Sequence, residues 1–538
     1  MIEAILATLS PGKAALGLLV LLTVLFWARK LQVSMQVARL GSRAPEIPTY
    51  LPVAADFIYK GFKASRKFRD LEHWKESLEA TQKANRLAHL PTTVEINSLT
   101  ENRIIFTFDP ENIKAILTGQ FADYGKGEPF HQQWREFLGD SIFTTDGELW
   151  SASRHLIRPM FVRDRIVDTE IFEKNVQKLI SLLGGSASPT GTKIVEVSGL
   201  YFRYTLDAAT DYLLGEGTNS LDNPTVRFAE AFRYVQARQS EYFRMGPLSP
   251  FMSRRKFRQE LKVMDDFIQP FIQKVLSLSP EELDKKLSKS DTFLDALARF
   301  TRDPRVLRDQ LVSVLLAGRD TTAVTLSFCT FELGRHPEVV ARLRSEIAQR
   351  LGLGASARKP TYTDLKEMKY LNAVINETLR FYPVVPFNVR YSLRDTTLPR
   401  GGGPDGLSPI GVRRDTRVVY STIMMQRRPD LYAEDLGTER YFDPGRWIPD
   451  RWTSGWQPKP WQFIPFNGGP RICIGQQFAM LEMGYTLVRI FQAYERVVAM
   501  PVTGKDRVED PPMKFEVTLT PGAEMNCVFL REGESNKM

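Results

Sequence analysis

The most constraining feature of this sequence is a single cysteine placed in a glycine-rich turn. Residues 463–479 read FIPFNGGPRICIGQQFA, with Cys473 between Gly469 and Gly475 and with Arg471 two positions before the cysteine. The glycines and the proline are poorly suited to a helix interior, whereas the residues after Gly475 have a helical pattern. Backbone amides at such a turn can point at a thiolate and stabilise its charge. The sequence therefore predicts that Cys473 lies on a turn before a helix and can serve as a metal ligand.

The numbers of cysteines and histidines restrict the metal that such a ligand could hold. The three cysteines (Cys329, Cys473 and Cys527) are too few and too scattered for a disulfide framework, and the five histidines include no pair at zinc-site spacing. Zinc and iron–sulfur sites need several ligands, whereas haem iron needs one strong axial donor, and a thiolate there favours cleavage of the O–O bond. The alternative is the usual role of a lone cysteine, a small buried apolar side chain.

A long helix is predicted to begin at Asp303 and Pro304, a typical helix start, and to end at Arg335. Its middle contains the sequence AGRDTT, in which Asp320 and Thr321 place an acid beside a hydroxyl. Such a pair can deliver protons to a buried site without admitting bulk water. A threonine inside a helix can also draw the helical hydrogen bonds out of register. The alternative is an ordinary exposed charge beside a helical threonine.

Two further pairs have the spacing of residues on one helix face. Glu377 and Arg380 are three apart between apolar positions, which favours a partly buried ion pair that needs further hydrogen bonds. Arg446, in the sequence FDPGRW, is a candidate third member of this network. Trp150 and Arg154 are four apart and are therefore expected on one face of another helix.

Together these motifs resemble those of the cytochrome P-450 superfamily of haem-thiolate monooxygenases. Phe466, Gly469, Arg471, Cys473 and Gly475 match the spacing of its haem-binding loop, and AGRDTT fits its oxygen-activating motif in full. The resemblance implies that Cys473 is the axial ligand of the iron of haem b. It also implies that Arg471 pairs with a haem propionate and that Phe466 packs beside the sulfur.

The same resemblance assigns roles to the other motifs. Trp150, Arg154 and, more weakly, Arg390 would contact the haem propionates. Asp320 and Thr321 would deliver protons during catalysis. A structural ion network would be formed by Glu377, Arg380 and Arg446. Gln426, in MMQRRPD, departs from the family pattern, because many relatives have a histidine there. This departure leaves one contact on the propionate side open.

Within the superfamily the chain is most similar to the fungal enzymes that hydroxylate n-alkanes and fatty acids at the terminal carbon. The resemblance is carried by VLLAGRDTTA, FNGGPRICIGQQFA, DYLLGEGTNSL (211–221) and DTTLPRGGGPDGLSPIGV (395–412). The last segment suggests no catalytic role and is interpreted as a marker of lineage. Animal fatty-acid hydroxylases that link covalently to haem have a glutamate at the place of Ala317, so no such link is expected. The apolar candidates for a substrate pocket are Leu315, Ala317, Val384, Val385 and Phe387.

The first thirty residues differ in kind from the rest. Residues 14–28 read AALGLLVLLTVLFWA, without charge, and Arg29 and Lys30 follow. With its weakly apolar flank this segment approaches the length of about 20 residues that a membrane-spanning helix needs. The predicted organisation is a membrane anchor at residues 1–30, a proline-rich linker with Pro45, Pro48 and Pro52 at residues 31–55, and a haem-thiolate monooxygenase domain at residues 56–538. The alternative for the first segment is a buried core helix.

Helical periodicity dominates the remaining chain, with short β-like runs such as TVEINS and RIIFTF, so the predicted fold class is mainly α with small β-sheets. Positive charge after the apolar segment predicts that the catalytic domain stays in the cytosol. The resemblance implies a single-pass anchor in the endoplasmic reticulum membrane. The formal net charge of +9 favours an acidic partner or anionic lipid, and no nucleic acid is expected because the basic residues are spread without a reader motif.

A separate electron donor is expected, because the 65 residues after Cys473 are too few for a fused flavin domain. The resemblance implies that this donor is a membrane-bound NADPH–cytochrome reductase, whose acidic surface would meet basic residues such as Arg158. The expected substrate is a lipophilic small molecule that partitions into lipid, with an apolar loop at residues 242–252 near the membrane. The alternatives are a hydroxylase of a sterol or secondary metabolite, an isomerase or dehydratase without external electrons, and a non-catalytic haem-binding membrane protein.

Overall fold

The computed structural model describes residues 11–51, 54–97, 103–161, 169–184, 193–286, 292–435, 442–501 and 508–534. Within these ranges helices predominate and the strands form small sheets, which confirms the predicted fold class. The helices are α1 Pro11–Leu40, α2 Ala55–Arg66, α3 Asp70–Ala84, α4 Pro110–Lys114, α5 Gly127–Leu138, α6 Gly147–Ile157, α7 Glu170–Leu183, α8 Val197–Leu214, α9 Arg227–Met245, α10 Arg255–Ser277, α11 Pro280–Lys285, α12 Phe293–Phe300, α13 Pro304–Arg335, α14 Pro337–Leu351, α15 Tyr362–Glu367, α16 Lys369–Phe381, α17 Thr422–Gln426 and α18 Gln476–Ala493. The strands are β1 Thr93–Asn97, β2 Arg103–Thr107, β3 Tyr124–Gly125, β4 Ile194–Glu196, β5 Phe387–Ser392, β6 Thr396–Gly402, β7 Ser408–Val412, β8 Arg417–Ser421, β9 Arg496–Ala499, β10 Met513–Phe515, β11 Leu519–Pro521 and β12 Asn526–Leu530.

The chain forms two compact units that each combine segments distant in sequence. The first unit comprises Met1–Phe62, Leu71–Gly125 and Val389–Tyr420. The second unit comprises Lys63–Asp70, Lys126–Asn388 and Ser421–Met538. The predicted domain at residues 56–538 therefore contributes to both units.

The first unit is built on a mixed sheet with the strand order β1-β2-β8-β5-β3. β1 and β2 pair antiparallel, with Val94 opposite Phe106, and β2 pairs with β8 in parallel, with Phe106 beside Val419. β-branched and aromatic residues predominate in these strands, and such side chains pack well on a pleated, buried surface. The ring of Phe106 stacks on that of Trp74 in α3 at a centroid distance of 3.9 Å, so sheet and helix share one core.

Helix α1 of the first unit exposes apolar side chains over most of its length. Its residues Ala15–Leu40 are long and apolar enough to cross a membrane, and none of the most apolar stretch is buried. Leu19, for example, is 61% exposed. Pro304–Arg335 passes the same test of length and composition, but 78% of its apolar stretch is buried, as in a core helix. The contrast supports an anchor over a core helix for α1. Residues 1–10 of the predicted anchor lie outside the described residues.

The structure differs from the predicted linker at residues 31–55. Helix α1 continues to Leu40, ten residues beyond the predicted end of the anchor, because the sequence LQVSMQVARL contains no helix breaker. Ala44 and Ile47 are buried, and the Ile47 amide donates to the Glu95 carbonyl at 2.9 Å. Much of this segment is therefore packed within the first unit and is not a free tether. Pro52 lies outside the described residues.

The second unit is organised around α13, whose bounds confirm the predicted long helix. Asp303 caps its start by accepting a hydrogen bond from the Arg305 amide at 2.8 Å. The helix packs against α8, α10, α16 and α18, and the hydroxyls of Tyr201 and Thr330 join α8 to α13 at 2.6 Å. The strands of the unit form a three-stranded sheet, β4-β12-β9, and the hairpin β10-β11. Helix α13 therefore contributes side chains to most of the unit's core.

The lineage segment at residues 211–221 folds around a buried carboxylate. Asp207 of α8 accepts hydrogen bonds from the Thr218 hydroxyl at 2.6 Å, the Ser220 amide at 2.7 Å and the Leu221 amide at 2.9 Å. Such a set of donors satisfies the buried charge. The structure thus gives this segment a packing role.

The predicted apolar loop at residues 242–252 comprises the last turn of α9, which ends at Met245, and a 3-10 turn at Gly246–Phe251. Tyr242 is buried in α9 and donates its hydroxyl to the Ser253 carbonyl at 2.8 Å, and Phe243 packs against the aromatic rings of α5. Phe251 is 87% exposed and is the part of the segment that suits contact with lipid. The side chain of Leu248 lies outside the described residues.

Candidate active site

The turn that carries Cys473 depends on glycine at two positions. Gly469 has a φ of 63°, in the left-handed region, and a Cβ at Gly468 would lie 2.6 Å from the ring of Trp461. The Cys473 amide donates to the Phe466 carbonyl at 2.9 Å and closes the turn, and α18 follows directly. The predicted turn before a helix is confirmed.

The thiol of Cys473 differs from the other two. Cys329 and Cys527 are buried, whereas Cys473 is accessible. Burial nevertheless raises the pKa of the Cys473 thiol, while an N–H···S hydrogen bond from Gly475 and the charge of Arg154 act to lower it. A sulfur that is accessible and yet strongly desolvated faces a space inside the protein. Among the described residues no cluster of three or more His, Cys, Asp or Glu side chains is placed to hold a metal ion, and this turn offers the one sulfur of Cys473.

Arg471, Trp150 and Arg154 lie together beside this turn. The Arg471 and Arg154 guanidinium groups are 4.6 Å and 5.9 Å from the centroid of the Trp150 ring. Arg154 also donates to the Ile472 carbonyl at 3.1 Å. Arg390, the weaker candidate for a propionate contact, belongs to the first unit, where it is buried and donates to the preceding carbonyl at 2.9 Å. The second unit therefore brings together three of the four residues expected near the haem propionates.

Asp146 is a partner of Arg471 that the sequence did not reveal. Its carboxylate pairs with Arg471 at 2.6 Å and accepts the amides of Lys126 and Gly127 at 2.8 Å and 2.7 Å. An aspartate just before a helix usually caps that helix, but this side chain makes no capping bond to α6. Arg471 is thus oriented by a carboxylate, the same type of group as the expected propionate partner.

One face of α13 is open although the helix is otherwise buried. Between residues 310 and 333 every residue is buried except Val314, Ala317, Gly318 and Thr321, whose spacing is that of one helix face. A Cβ at Gly318 would have no heavy atom within 4 Å. Small side chains therefore border a space along the helix, which fits close approach of a flat cofactor or of substrate. Leu315 is buried and lies off this face.

Asp320 and Thr321 have separate hydrogen-bond partners. The Thr321 hydroxyl donates to the Ala317 carbonyl at 2.7 Å on the open face, whereas Asp320 is buried and accepts from Arg319 at 2.9 Å and from the Gln236 amide of α9. Burial raises the pKa of Asp320, and Arg319 and Gln236 act to lower it. Helix α13 remains α-helical here, so the change of hydrogen-bond register that a threonine can cause does not occur.

Arg319 and Gln236 were not identified from the sequence. The Arg319 guanidinium lies 5.1 Å and 5.3 Å from the ring centroids of Phe202 and Phe232, and burial lowers its pKa. Arg319 could have been identified from the sequence, because it precedes Asp320 directly in the motif AGRDTT. Gln236 is 84 residues from Asp320 in sequence, and no local pattern marks it.

Glu482 is a second buried acid that the sequence analysis missed. It lies on α18 and accepts a hydrogen bond from the hydroxyl of Thr322, the residue after Thr321 on α13. Burial raises the pKa of Glu482 to about 8. Glu482 could have been found from the sequence, because it is the one acidic residue in the apolar run AMLEMGYTLV. A glutamate is rarely buried unless it is paired with another group.

We expect Glu482→Gln to stabilise the protein increasingly as the pH rises from about 5 to about 8. The pKa of Glu482 is raised from 4.5 to about 8, so in this range the folded state binds more protons than the unfolded state and the free energy of unfolding falls with rising pH. Glutamine cannot ionise, which removes this fall. Thermal midpoints of both proteins across this range test the prediction. A difference that does not grow with pH would contradict it.

The Glu377–Arg380 pair is fully buried, but its third charged member differs from the prediction. Arg380 donates to both carboxylate oxygens of Glu377 at 2.8 Å, and the buried Arg451 approaches Glu377 at 3.3 Å. Arg446 accepts a hydrogen bond from Arg380 through its carbonyl at 2.8 Å, while its side chain is exposed. The assignment of Arg446 as the third charged member is therefore wrong. The turn Pro449–Trp452 contains Arg451 and places its side chain next to Glu377.

Gln426, which stands where many relatives have a histidine, joins the ion network to the segment of the cysteine turn. Its amide donates to the carbonyl groups of Leu379 and Arg380 at 3.2 Å and 3.0 Å. Its side-chain oxygen accepts from the Ile464 amide at 3.1 Å. In the described structure its partners are thus backbone groups of the protein.

The other predicted pocket residues lie just before and at the start of β5. Val384 is buried, and Val385 is 38% exposed. The ring of Phe387 packs on that of Phe515 at a centroid distance of 5.4 Å. Two of the three are therefore engaged in packing, and Val385 is the most accessible.

Comparison with known proteins identifies the family of these motifs. The family model "Cytochrome P450" matches residues 87–526. Cytochrome P450 monooxygenase pvhE of Talaromyces variabilis is 45% identical over 528 residues, covering 95% of this chain and 94% of the relative. Cytochrome P450 52A1 of Candida tropicalis is 42% identical over 447 residues, covering 79% of this chain and 78% of the relative. The crystal structure of the cytochrome P450DA heme domain matches with a TM-score of 0.72 at 18% identity, covering 92% of this chain and 98% of that one, and shows the fold.

The family's cofactor fits the residues of the second unit. Cytochromes P450 use haem with a cysteine thiolate as axial ligand and receive electrons from a redox partner. Cys473, accessible on the glycine-dependent turn, would suit this role, and the open face of α13 leaves space for a flat group. With the family model matched over residues 87–526, this chain belongs to the cytochrome P450 family of haem-thiolate monooxygenases.

Proposed function

We propose that this chain holds haem b through Cys473 and hydroxylates the terminal carbon of n-alkanes or fatty acids. The observation that carries the ligand assignment is the accessible Cys473 thiol, at which the Gly475 amide is directed. The substrate assignment is supported by the resemblance of residues 211–221 and 395–412 to the fungal alkane and fatty-acid hydroxylases. Similarity to fungal relatives over most of the chain also supports it.

The residues around the turn would hold and tune the cofactor. Bound haem would supply the activation of dioxygen and the insertion of one oxygen atom into an unactivated C–H bond. The Gly475 amide and the Arg154 charge would stabilise the thiolate of Cys473. Arg471 and Arg154, beside Trp150, present guanidinium groups that suit carboxylates at the edge of the cofactor.

Thr321 and Asp320 would deliver protons. The Thr321 hydroxyl lies on the open face of α13, next to the space for cofactor and substrate. Asp320 lies behind it in the core, where burial raises the pKa of its carboxyl and so favours the protonated form that could donate a proton. Arg319 and Gln236 would set the position and charge of the Asp320 carboxylate. Burial of the acid would keep bulk water away from this route.

We expect Gln236→Leu to lower the yield of product per NADPH oxidised by about tenfold, which is less than the roughly 10²–10⁴-fold contribution of a general acid–base group because Gln236 acts only through Asp320. The variant removes a donor that lowers the pKa of Asp320, so the optimum of this yield should also move to higher pH. Product formed per NADPH, measured from pH 6 to 9, tests both effects.

Gln239→Leu is the matched control. Gln239 is buried on the same helix but donates to the carbonyl of Gln133 at 2.9 Å. The control should keep the wild-type pH optimum, because it makes no contact with Asp320 in the described structure. Equal shifts of the optimum in both variants would contradict the assigned role of Gln236.

The open face of α13 would admit a narrow apolar substrate. Ala317 and Gly318 leave room along the helix, and the apolar side chains of Val384 and Phe387 would form the surrounding walls, whereas Leu315 lies off this face. An unbranched hydrocarbon chain suits such a lining, since no polar group has to be left unpaired. Val385, which is more accessible, would lie nearer to an entrance.

We also propose a location and an electron donor. Helix α1 would anchor the chain in the endoplasmic reticulum membrane, and Arg29 and Lys30 would keep the catalytic part on the cytosolic side. A lipophilic substrate would then arrive from the lipid. NADPH–cytochrome reductase in the same membrane would supply the electrons.

We expect Arg158→Glu to reduce the reductase-supported rate several-fold and to weaken its dependence on salt. Arg158 is exposed at the end of α6, the helix that carries Arg154, and charge complementarity mainly changes association rates. Arg255→Glu, at the exposed start of α10, is the control and should retain the wild-type rate. An unchanged rate in Arg158→Glu with saturating substrate would contradict docking at this helix.

Turnover in membranes with added reductase and NADPH tests the proposed function. The panel holds medium- and long-chain alkanes, fatty acids and a sterol, and mass spectrometry gives the position of oxidation. Terminal alcohols or diacids would support the proposal. Turnover of the sterol alone, or absence of any product while the carbon monoxide spectrum shows thiolate-bound haem, would contradict the substrate assignment.

A further inference from the structure

We propose that the glycine-rich hairpin formed by β6 and β7 is a docking site for the end of α1, and that it holds this helix as a rigid stalk between the bilayer and the first unit. The inference rests on the proposed role of α1 as a membrane anchor. It gives a function to residues 395–412, the segment for which the sequence suggested no catalytic role. All contacts that carry it lie within the first unit.

The side of α1 that faces the hairpin is more buried than the opposite side. Leu31 and Met35 remain exposed, whereas Val33 and Leu40 are half-buried and Val37 is 1% exposed. The spacing of Val33, Val37 and Leu40 is that of one helix face. Burial of the apolar side chains on this face of α1 therefore begins after Arg29 and Lys30, where the helix would leave the bilayer.

The hairpin approaches the helix more closely than any side chain would allow. A Cβ at Gly411 would lie 2.4 Å from the Val37 carbonyl oxygen, and a Cβ at Gly41 would lie 2.8 Å from the Gly411 nitrogen. A Cβ at Gly402 would lie 2.5 Å from the Cβ of Ser42. The obstructing atoms are mostly backbone, which cannot swing aside. Glycine at these positions is thus explained by docking of the helix end.

Backbone hydrogen bonds then fix the chain that leaves the helix. The Ser42 amide donates to the Pro409 carbonyl, and the Gly411 amide donates to the Ser42 carbonyl, both at 2.9 Å. Further on, the Glu95 amide of β1 donates to the Pro45 carbonyl at 2.9 Å. The side chains of Arg43 and Glu95 form an ion pair at 2.8 Å. Both the hairpin and the sheet therefore hold the segment that follows α1.

The mechanical consequence is a fixed spacing from the membrane. Residues 31–40 are helical and would span about 15 Å at about 1.5 Å per residue. Because the far end is docked, the first unit would keep one height and tilt above the lipid surface. A flexible linker of the same length would permit many orientations.

Hydrogen–deuterium exchange on the full-length haem-loaded chain in nanodiscs tests this inference. In the wild type we expect slow exchange for the amides of Ser42, Ile47 and Gly411. In Gly411→Val we expect exchange of Ser42 and of the last turn of α1 to quicken by about tenfold or more, as in local opening. Gly119→Ala is the control, since its Cβ would meet no heavy atom within 4 Å, and it should keep the wild-type pattern.

Gly41→Val disturbs the same contact from the helix side and leaves the hairpin sequence intact, so both variants should show the same local change. The carbon monoxide spectrum of each variant confirms that it is folded. Fast exchange of these amides in the wild type, or unchanged exchange in both folded variants, would overturn the docking site. Flotation with phospholipid vesicles is read separately, because its loss contradicts the membrane anchor and leaves the docking result intact.

Discussion

Replacing Cys473 with serine is expected to abolish the carbon monoxide spectrum of thiolate-bound haem and to reduce turnover to background. A serine hydroxyl does not ionise near neutral pH and cannot provide the electron-rich axial ligand that a thiolate provides. Cys329 and Cys527 are buried, so neither can substitute for the missing thiol. Spectra and haem content of the purified full-length chain test this prediction.

Cys527→Ala is the control for this experiment. Cys527 lies in β12 with its side chain fully buried, so it packs as a small apolar group, and its removal should leave the spectrum intact. A Cys473→Ser variant that keeps the thiolate spectrum would overturn the ligand assignment. Loss of the spectrum in a folded Cys527→Ala variant would contradict it as well.

The second large effect is expected for Arg451→Met, which should destabilise the protein by about 3–5 kcal/mol. Arg451 is buried, pairs with Glu377 at 3.3 Å and donates to the carbonyl groups of Phe442 and Asp443 at 2.6 Å and 3.0 Å. Its loss leaves backbone acceptors unpaired and leaves the Glu377 carboxylate with less positive charge around it. Urea titration followed by the haem absorbance measures the change.

Arg446→Met provides the contrast, because both arginines belong to the same short segment and one was expected in the network. Its side chain is exposed, and its carbonyl, which serves Arg380, is retained in the variant. Its effect should stay within about 0.5 kcal/mol, as for other surface changes. A larger loss for Arg446→Met than for Arg451→Met would restore the original assignment.

Local motifs were predictable because their chemistry is contained in adjacent residues. The cysteine turn follows from Gly469 and its neighbours, and the bounds of α13 follow from an aspartate–proline start and a proline stop. The association of Trp150 with Arg154 needed only helical spacing. These parts of the fold and the site require no knowledge of distant contacts.

Contacts between distant segments were not predictable. Gln236 of α9 and Asp320 of α13 meet through a tertiary hydrogen bond, and nothing in either segment of the sequence records that contact. The choice between Arg446 and Arg451 depends on a turn that directs one arginine outward and the next inward. The docked stretch after residue 30 looked like a linker because its prolines suggest extended chain, while its pairing partners lie in β1 and β7.

The buried pair of Arg319 and Asp320 limits how this site can change over time. Each charge compensates the other in the core, so a mutation that removes one alone leaves an unpaired ion there. A descendant that loses the acid should therefore also replace the arginine with a neutral residue, and the two positions should vary together. Laboratory variants obey the same constraint, because Asp320→Asn alone would mix the proposed defect in proton delivery with a defect in folding. The double variant Asp320→Asn/Arg319→Leu separates the two defects.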